Sequence, residues 1–294
     1  MHCIIPQNSG FCFGVSLAVA SAYENAGKSA YMYGEVVHNP LVVHDLIAKG
    51  LPLVSTLSEI PAESRAKVLI RAHGVSKAVT DEAARLNLEI IDKTCPRVKK
   101  IHAIVYEASG RGLDIIVVGK PNHPEVEGIM GWCSTNVMIL DSLSDAKAQL
   151  ANASFAAKGV CMVSQTTHNA QKYEEIYDFC KGATPIEFHN TICDATANRQ
   201  SEIRALAQHA DAVVVVGGKK SSNVTKLYEI ASEYCSVVFH VENEKELDIA
   251  RIGKANVVVI ASGASTPNEN VETVVSALAH YCKQNNLPFA PKRR

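Results

Sequence analysis

One arrangement occurs three times along this chain, and it restricts the fold more than any other feature. Cysteines stand in GFCFGV, DKTCPRV and NTICDAT, at Cys12, Cys95 and Cys193. Each is followed by a stretch with helical patterning. A run of β-branched residues comes next and ends in a glycine-containing or polar loop: MYGEVVHNP, VVGKPNHPE and VVGGKKSSN. A second run and loop follow, in IRAHGVS, MVSQTTHN and IASGAST. From Cys12, His38 lies 26 residues on and His73 lies 61 on; from Cys95, His123 lies 28 on and Thr166 71; from Cys193, Ser222 lies 29 on and Ser265 72. The two later units agree to within one residue, which is the mark of an internal repeat.

The β-branched runs 68–70, 115–118, 160–163, 213–216 and 257–260 are continuously apolar. Strands covered on both faces read this way, as in parallel sheets. Amphipathic stretches such as 78–86 and 201–208 lie between them, so the chain is expected to be α/β, built from βαβ units. The predicted architecture is three similar α/β units with mainly parallel sheets around a pseudo-threefold axis, with a central cluster site. Its boundaries are 13–94, 95–192 and 193–283, with residues 1–12 packing on the third unit and a flexible basic tail over 284–294. In open α/β sheets, ligands bind beyond the carboxyl ends of the strands. Three such ends facing one axis would bring three cysteines and six polar loops together. Helices starting at those loops would aim N–H groups and positive dipole ends inward, which suits an anion.

The cysteine count bears on what the three can do. There are nine, an odd number, and the N-terminal MHCIIPQNSGFCFG lacks the layout of a signal peptide, so a disulfide framework is not expected. A cytoplasmic location follows as the expectation. No apolar run approaches the ~18 residues of a membrane span, and a net charge of −1 gives no pull toward nucleic acid or an anionic membrane. Free cysteines are most often small buried hydrophobes, which is the expectation for Cys133, Cys161, Cys180, Cys235 and Cys282. Cys12, Cys95 and Cys193 differ because each holds the same place in a repeat. None belongs to a C-x-x-C pair, so ribbon and ferredoxin spacings are absent. Three thiolates on one axis fit three irons of a 4Fe–4S cluster and leave the fourth iron open to substrate. A zinc ion with three thiolates and one open position satisfies the same donors. A zinc-dependent hydrolase of a phosphorylated substrate and a non-catalytic cluster sensor are therefore the competing classes.

The loops add chemistry. His38, His73 and His123 end three of them, and Ser221, Ser222, Asn223 and Ser265 supply neutral donors from the third unit. With helix N-termini these could hold a diphosphate. Glu125 in HPEVEG is a candidate proton donor, since a carboxyl beside a cluster and a phosphate is pushed toward its neutral form; Glu127 competes within the same motif. The phosphate loop and the dinucleotide fingerprint both fail, because Ala22 and Ile115 stand where glycines are required.

The motifs GFCFGV, GEVVHN, RAHGVS, DKTCPRVKKIH, GKPNHPEVEG, SQTT, NTICDAT-x-x-RQ, SSN-x-x-KLYEIA and GASTP run in order from Gly10 to Pro267. Together they resemble the 4-hydroxy-3-methylbut-2-enyl diphosphate reductase family of the non-mevalonate isoprenoid pathway. The resemblance implies an iron–sulfur oxidoreductase with a 4Fe–4S cluster on Cys12, Cys95 and Cys193. It also implies a small-molecule diphosphate substrate held by His38, His73, His123, Ser221, Ser222, Asn223 and Ser265. Glu125 would be the acid, His123 part of the catalytic group, and Thr166 the contact to the substrate hydroxyl. Two electrons and two protons would remove that hydroxyl as water, giving isopentenyl and dimethylallyl diphosphate. Electrons would come from ferredoxin or flavodoxin. Phe13 after Cys12 and Asn268–Asn270 after GASTP depart from common family residues, at positions without an implied role.

Overall fold

The structure, a computed structural model, describes residues 1–61, 66–151, 153 and 155–293. Its strands are β1 (His2–Ile5), β2 (Ala30–Tyr33), β3 (Leu53–Val54), β4 (Lys67–Ile70), β5 (Glu89–Asp92), β6 (Asp114–Val118), β7 (Val137–Leu140), β8 (Val160–Ser164), β9 (Ile186–Phe188), β10 (Ala212–Val216), β11 (Val238–Val241), β12 (Val257–Ser262) and β13 (Ala290–Arg293). The chain divides into two compact units. One comprises Met1–Phe13, His38–Pro40 and Asp194–Arg294; the other comprises Gly14–Val37 and Leu41–Cys193.

The larger unit contains two four-stranded sheets, ordered β3-β2-β4-β5 and β7-β6-β8-β9. The order is the same in both: second strand, first, third, fourth. The smaller unit has one five-stranded sheet, ordered β11-β10-β12-β1-β13. Here too the second strand flanks the first and the third follows, but the N-terminal β1 takes the fourth place. Every strand pairing is parallel. The repeated architecture of three parallel α/β sheets is therefore present.

Burial explains which strands could be recognised in advance. All five residues of β6, β8 and β10 are buried, so both faces demand apolar side chains. In the five-stranded sheet, Val214, Val216, Val258 and Ile260 pack on Val271, Val274 and Leu278 on one face. Val213, Val215 and Val259 pack on Ile203, Leu227 and Ile230 on the other. Each such side chain contributes roughly 1.5–3 kcal/mol by leaving water. The outer strands β3, β5, β7 and β9 are two to four residues long and partly exposed; β7 has the apolar run VMIL, while β3, β5 and β9 have none longer than two residues.

The C-terminal segment departs from expectation. Instead of a flexible tail over 284–294, residues 290–293 form β13 and pair with β1 in parallel register, His2 opposite Ala290 and Ile5 opposite Arg293. Backbone pairing is the main contribution here, because all four residues are exposed. An edge strand of proline and basic residues also resists further pairing.

Candidate active site

The three repeat cysteines share one backbone contact. The Cys12 amide donates to the Ala264 carbonyl at 3.1 Å, the Cys95 amide to Ala72 at 3.0 Å, and the Cys193 amide to Thr166 at 3.1 Å. Ala264, Ala72 and Thr166 all lie in the polar loop after the third-place strand of a sheet, at or next to Ser265, His73 and Thr166 itself. Each cysteine is thus fixed beside a loop that carries a candidate substrate-binding residue. In each case a helix then begins: Phe13–Asn25, Pro96–Gly110 and Asp194–Ala207. Pro96 is suited to a first helical position because no intrahelical bond needs its missing N–H.

In the larger unit the contacts run without a break from Cys95 to Cys193. Ala72, bonded to Cys95, precedes His73. The His73 ring meets His123 edge-on, with centroids 5.4 Å apart. His123 caps the helix Pro124–Met130, its Nδ1 accepting from the Glu125 amide at 3.1 Å. With Nδ1 used as an acceptor, a neutral His123 ring carries its proton on Nε2 and presents it as a donor. Glu125 is 2% exposed, and its carboxylate accepts from the Thr166 amide at 2.6 Å and from the Thr166 hydroxyl at 2.9 Å. Burial pushes the Glu125 carboxyl up to about 7, against the opposing pull of those two bonds. Glu127, the alternative acid, is exposed on the same helix. Thr166 closes the run through its carbonyl bond to Cys193.

Two glycines permit this packing. A Cβ on Gly14 would lie 2.6 Å from Cys95 Sγ, and one on Gly74 would lie 2.7 Å from His102 Cε1. His102 stacks on Trp132 with ring centroids 5.4 Å apart, and the Trp132 indole donates to the Val75 carbonyl at 2.9 Å. This aromatic pair braces the His73 loop. Burial holds His102 down at about 4, hence neutral.

The smaller unit gathers Cys12, His38, Ser221, Ser222, Asn223 and Ser265. The Ala264 amide donates to Asn223 Oδ1 at 3.1 Å, and Ser265 Oγ donates to Ser221 Oγ at 3.3 Å. Asn39 Nδ2 donates to the Ser265 carbonyl at 3.3 Å, which ties the His38 segment to this loop. A Cβ on Gly218 would come 2.2 Å from the His38 carbonyl oxygen, so only glycine admits that approach. Ser221 caps the helix Ser222–Tyr234. Asn223 is 4% exposed, and its Nδ2 is buried with no hydrogen-bond partner. Because the Ala264 bond fixes the amide orientation, Nδ2 is left as a donor for a ligand acceptor, at a helix N-terminus that already favours anions.

Two residues here carried no role from the sequence. Arg199 is buried, and its guanidinium donates to the Gly10 carbonyl at 2.8 Å and the Ala195 carbonyl at 3.0 Å. It pins the loop that presents Cys12 to the helix that begins after Cys193. Asn39 acts through the bond given above. Both engage backbone carbonyls, which leave no mark in a sequence beyond membership of a motif.

The donor set can be tested against an iron–sulfur cluster. Cys3, Cys161, Cys180, Cys235 and Cys282 are buried, as expected of packing residues. Burial raises Cys3 and Cys161 to about 12 and Cys180 to about 11. Cys133 is also raised to about 12, and its thiol donates to the Ile129 carbonyl at 3.4 Å. These four stay neutral thiols and are poor metal ligands. Cys12, Cys95 and Cys193 are partly exposed, and each stands immediately before a helix. Among the nine, the three repeat cysteines combine partial exposure with a place directly before a helix.

Known proteins resemble this chain along nearly its whole length. The LytB protein family matches residues 3–279. The 4-hydroxy-3-methylbut-2-enyl diphosphate reductase of Thermoanaerobacter sp. (strain X514) is 38% identical over 285 residues, covering 95% of this chain and 96% of that protein. The Geobacter sulfurreducens reductase of the same name is 36% identical, covering 96% and 98%. Among solved structures, the E-1-hydroxy-2-methyl-but-2-enyl-4-diphosphate reductase of Plasmodium falciparum superposes with a TM-score of 0.90 at 26% identity, over 99% of this chain and 92% of that one. From sequence, site geometry and relatives together, the chain belongs to the LytB family of 4-hydroxy-3-methylbut-2-enyl diphosphate reductases.

Proposed function

We propose that the protein reduces 4-hydroxy-3-methylbut-2-enyl diphosphate to isopentenyl and dimethylallyl diphosphate with loss of water, using a 4Fe–4S cluster on Cys12, Cys95 and Cys193. The observation that carries the reading is the contact run in the larger unit, where a buried acid, a hydroxyl and a cysteine amide are consecutive. A hydrolase needs a base to activate water; this site holds a carboxyl poised to give a proton. A sensor needs neither Glu125 nor the hydroxyl-rich loops.

Held by the three thiolates, the cluster supplies the two electrons and a Lewis-acidic iron. The protein's residues do the rest. His38, His73, the Nε2–H of His123, Asn223 Nδ2 and the Ser221, Ser222 and Ser265 hydroxyls bind the diphosphate and orient the allylic hydroxyl toward Thr166. When Glu125 is protonated, its O–H donates to Thr166 Oγ, and the Thr166 O–H turns to the substrate. A proton leaving Thr166 for the departing hydroxyl is replaced from Glu125, so water departs neutral, and the second proton passes to the allylic carbon by way of the substrate's own diphosphate. Ferredoxin or flavodoxin is the proposed electron source and the cytoplasm the proposed location; no described helix is long and apolar enough to cross a membrane.

The test is an anaerobic assay of the purified protein with this substrate and reduced methyl viologen. Isopentenyl and dimethylallyl diphosphate, with two electrons consumed per molecule, are the expected products. Release of inorganic phosphate or pyrophosphate without electron consumption would establish a hydrolase.

A further inference from the structure

The loop that carries His73 is tied at both ends to one short element, the helix Pro124–Met130. At the helix start, the His123 ring meets His73 edge-on. Just past its end, Trp132 Nε1 donates to the Val75 carbonyl at 2.9 Å, and the Lys77 amide donates to the Gly131 carbonyl at 3.3 Å. The two segments approach so closely that a Cβ on Gly131 would lie 2.1 Å from Ser76 Cβ. Seven residues of helix span about 10 Å. His123 and Trp132 are therefore two fixed points on one short rod, and the loop is held to both.

The indole is itself held in place. His102 stacks on it with an interplanar angle of 20°, and Tyr106 meets it edge-on with ring centroids 6.3 Å apart. Both come from the helix Pro96–Gly110. The Trp132 amide donates to the Ile129 carbonyl at 3.1 Å. The loop, by contrast, has open space beside it. A cavity of about 470 Å³ is bordered by Val75 and Trp132, together with Ile70, Ile90 and Tyr106. Where the cavity borders the loop, packing does not restrain it, and the indole bond supplies the restraint.

We infer that Trp132 is a positioning residue for diphosphate binding: its indole N–H holds the loop so that His73 keeps its placement relative to His123. The inference rests on the reading of these two histidines as diphosphate ligands. Trp132 acts through His73, on the fraction of molecules whose loop is set for binding before the ligand arrives. Apparent affinity falls in proportion to that fraction, whereas a saturating ligand draws the loop back. Loss of the bond should therefore raise KM and leave kcat nearly unchanged.

Trp132 is the only tryptophan in the chain, so replacing tryptophan throughout by 3-benzothienylalanine changes this position alone. That isostere keeps the ring shape and the stack, and puts sulfur in place of the N–H donor. Anaerobic holoenzyme carrying it, and Trp132→Phe, are assayed with the diphosphate substrate and reduced methyl viologen. Inorganic pyrophosphate is titrated calorimetrically into the same samples, a measurement that needs no turnover. In both forms KM and the pyrophosphate Kd should rise together by about three- to tenfold, with kcat within about twofold of wild type. Iron content should stay as in wild type. Should Trp132→Phe lower iron content, the isostere decides alone. A pyrophosphate Kd in the isostere form equal to that of wild type would overturn the inference, and so would a fall in kcat with KM unchanged. Absence of pyrophosphate binding by wild type would overturn it as well. Failure of wild type to convert the substrate would instead count against the reductase reading, while the pyrophosphate titration would still decide the role of Trp132.

Discussion

Glu125 shows how one residue's surroundings set its chemistry. Two carboxylates stand two positions apart in HPEVEG, and composition cannot separate them. The helix can: Glu127 faces solvent, while Glu125 is 2% exposed and reaches Thr166 through both oxygens. The sign of its pH effect follows. Its ordinary value of 4.5 is raised to about 7 in the folded chain, so the native state holds a proton that the unfolded chain releases. That contribution to stability is complete below pH 4.5 and is lost as pH rises to about 7, amounting to about 3 kcal/mol. Turnover needs the same proton, so its rate should fall as pH passes about 7. Glu125→Gln should lower turnover by about 10²–10⁴-fold and keep the cluster spectrum and substrate affinity. It should also lose less stability than wild type between pH 4.5 and 7, measured by denaturant titration. Wild-type turnover in this variant would remove Glu125 as the acid.

Among elements, what could be foreseen tracks burial. The first and third strands of each repeat are the central pairs β2–β4, β6–β8 and β10–β12; apolar runs announced five of them, and β2 was marked only by the loop MYGEVVHNP that ends it. The outer strands β3, β5 and β9 are short and partly exposed, so they carry little pattern. β13 could not be read at all, because an exposed strand of proline and basic residues has the composition of a tail. Loop contacts were legible as motifs but not as bonds. The N–H groups of all three cysteines meet carbonyls, and so does the Arg199 guanidinium, and any residue supplies a carbonyl. Arg199→Met keeps the apolar stem and loses the charge-assisted bond to Gly10, so the Cys12 loop should loosen. We expect a loss of about 1.5–3 kcal/mol in stability and a lower iron content after aerobic handling, measured against wild type prepared in parallel. Unchanged iron would show that the Cys12 loop does not depend on that anchor.

For the whole molecule, the repeat gives three cysteines the same place and the same backbone bond, while six others remain as packing or helix-end residues. The substrate's identity was legible only through the ordered motifs, since a constellation of histidines and hydroxyls specifies a diphosphate and not the carbon skeleton attached to it. Family membership supplies that skeleton, and the contact run from Cys95 to Cys193 supplies a chemical reason for reduction over hydrolysis. The most direct test of the central claim is iron and sulfide analysis, with activity, on anaerobically purified wild type and on Cys12→Ser, Cys95→Ser, Cys193→Ser and Cys133→Ser. Wild type and Cys133→Ser should carry about four iron and four sulfide per chain and be active, and each of the other three variants should lose iron and activity together. One zinc and no sulfide in wild type, or an intact and active cluster in any of those three variants, would contradict the account.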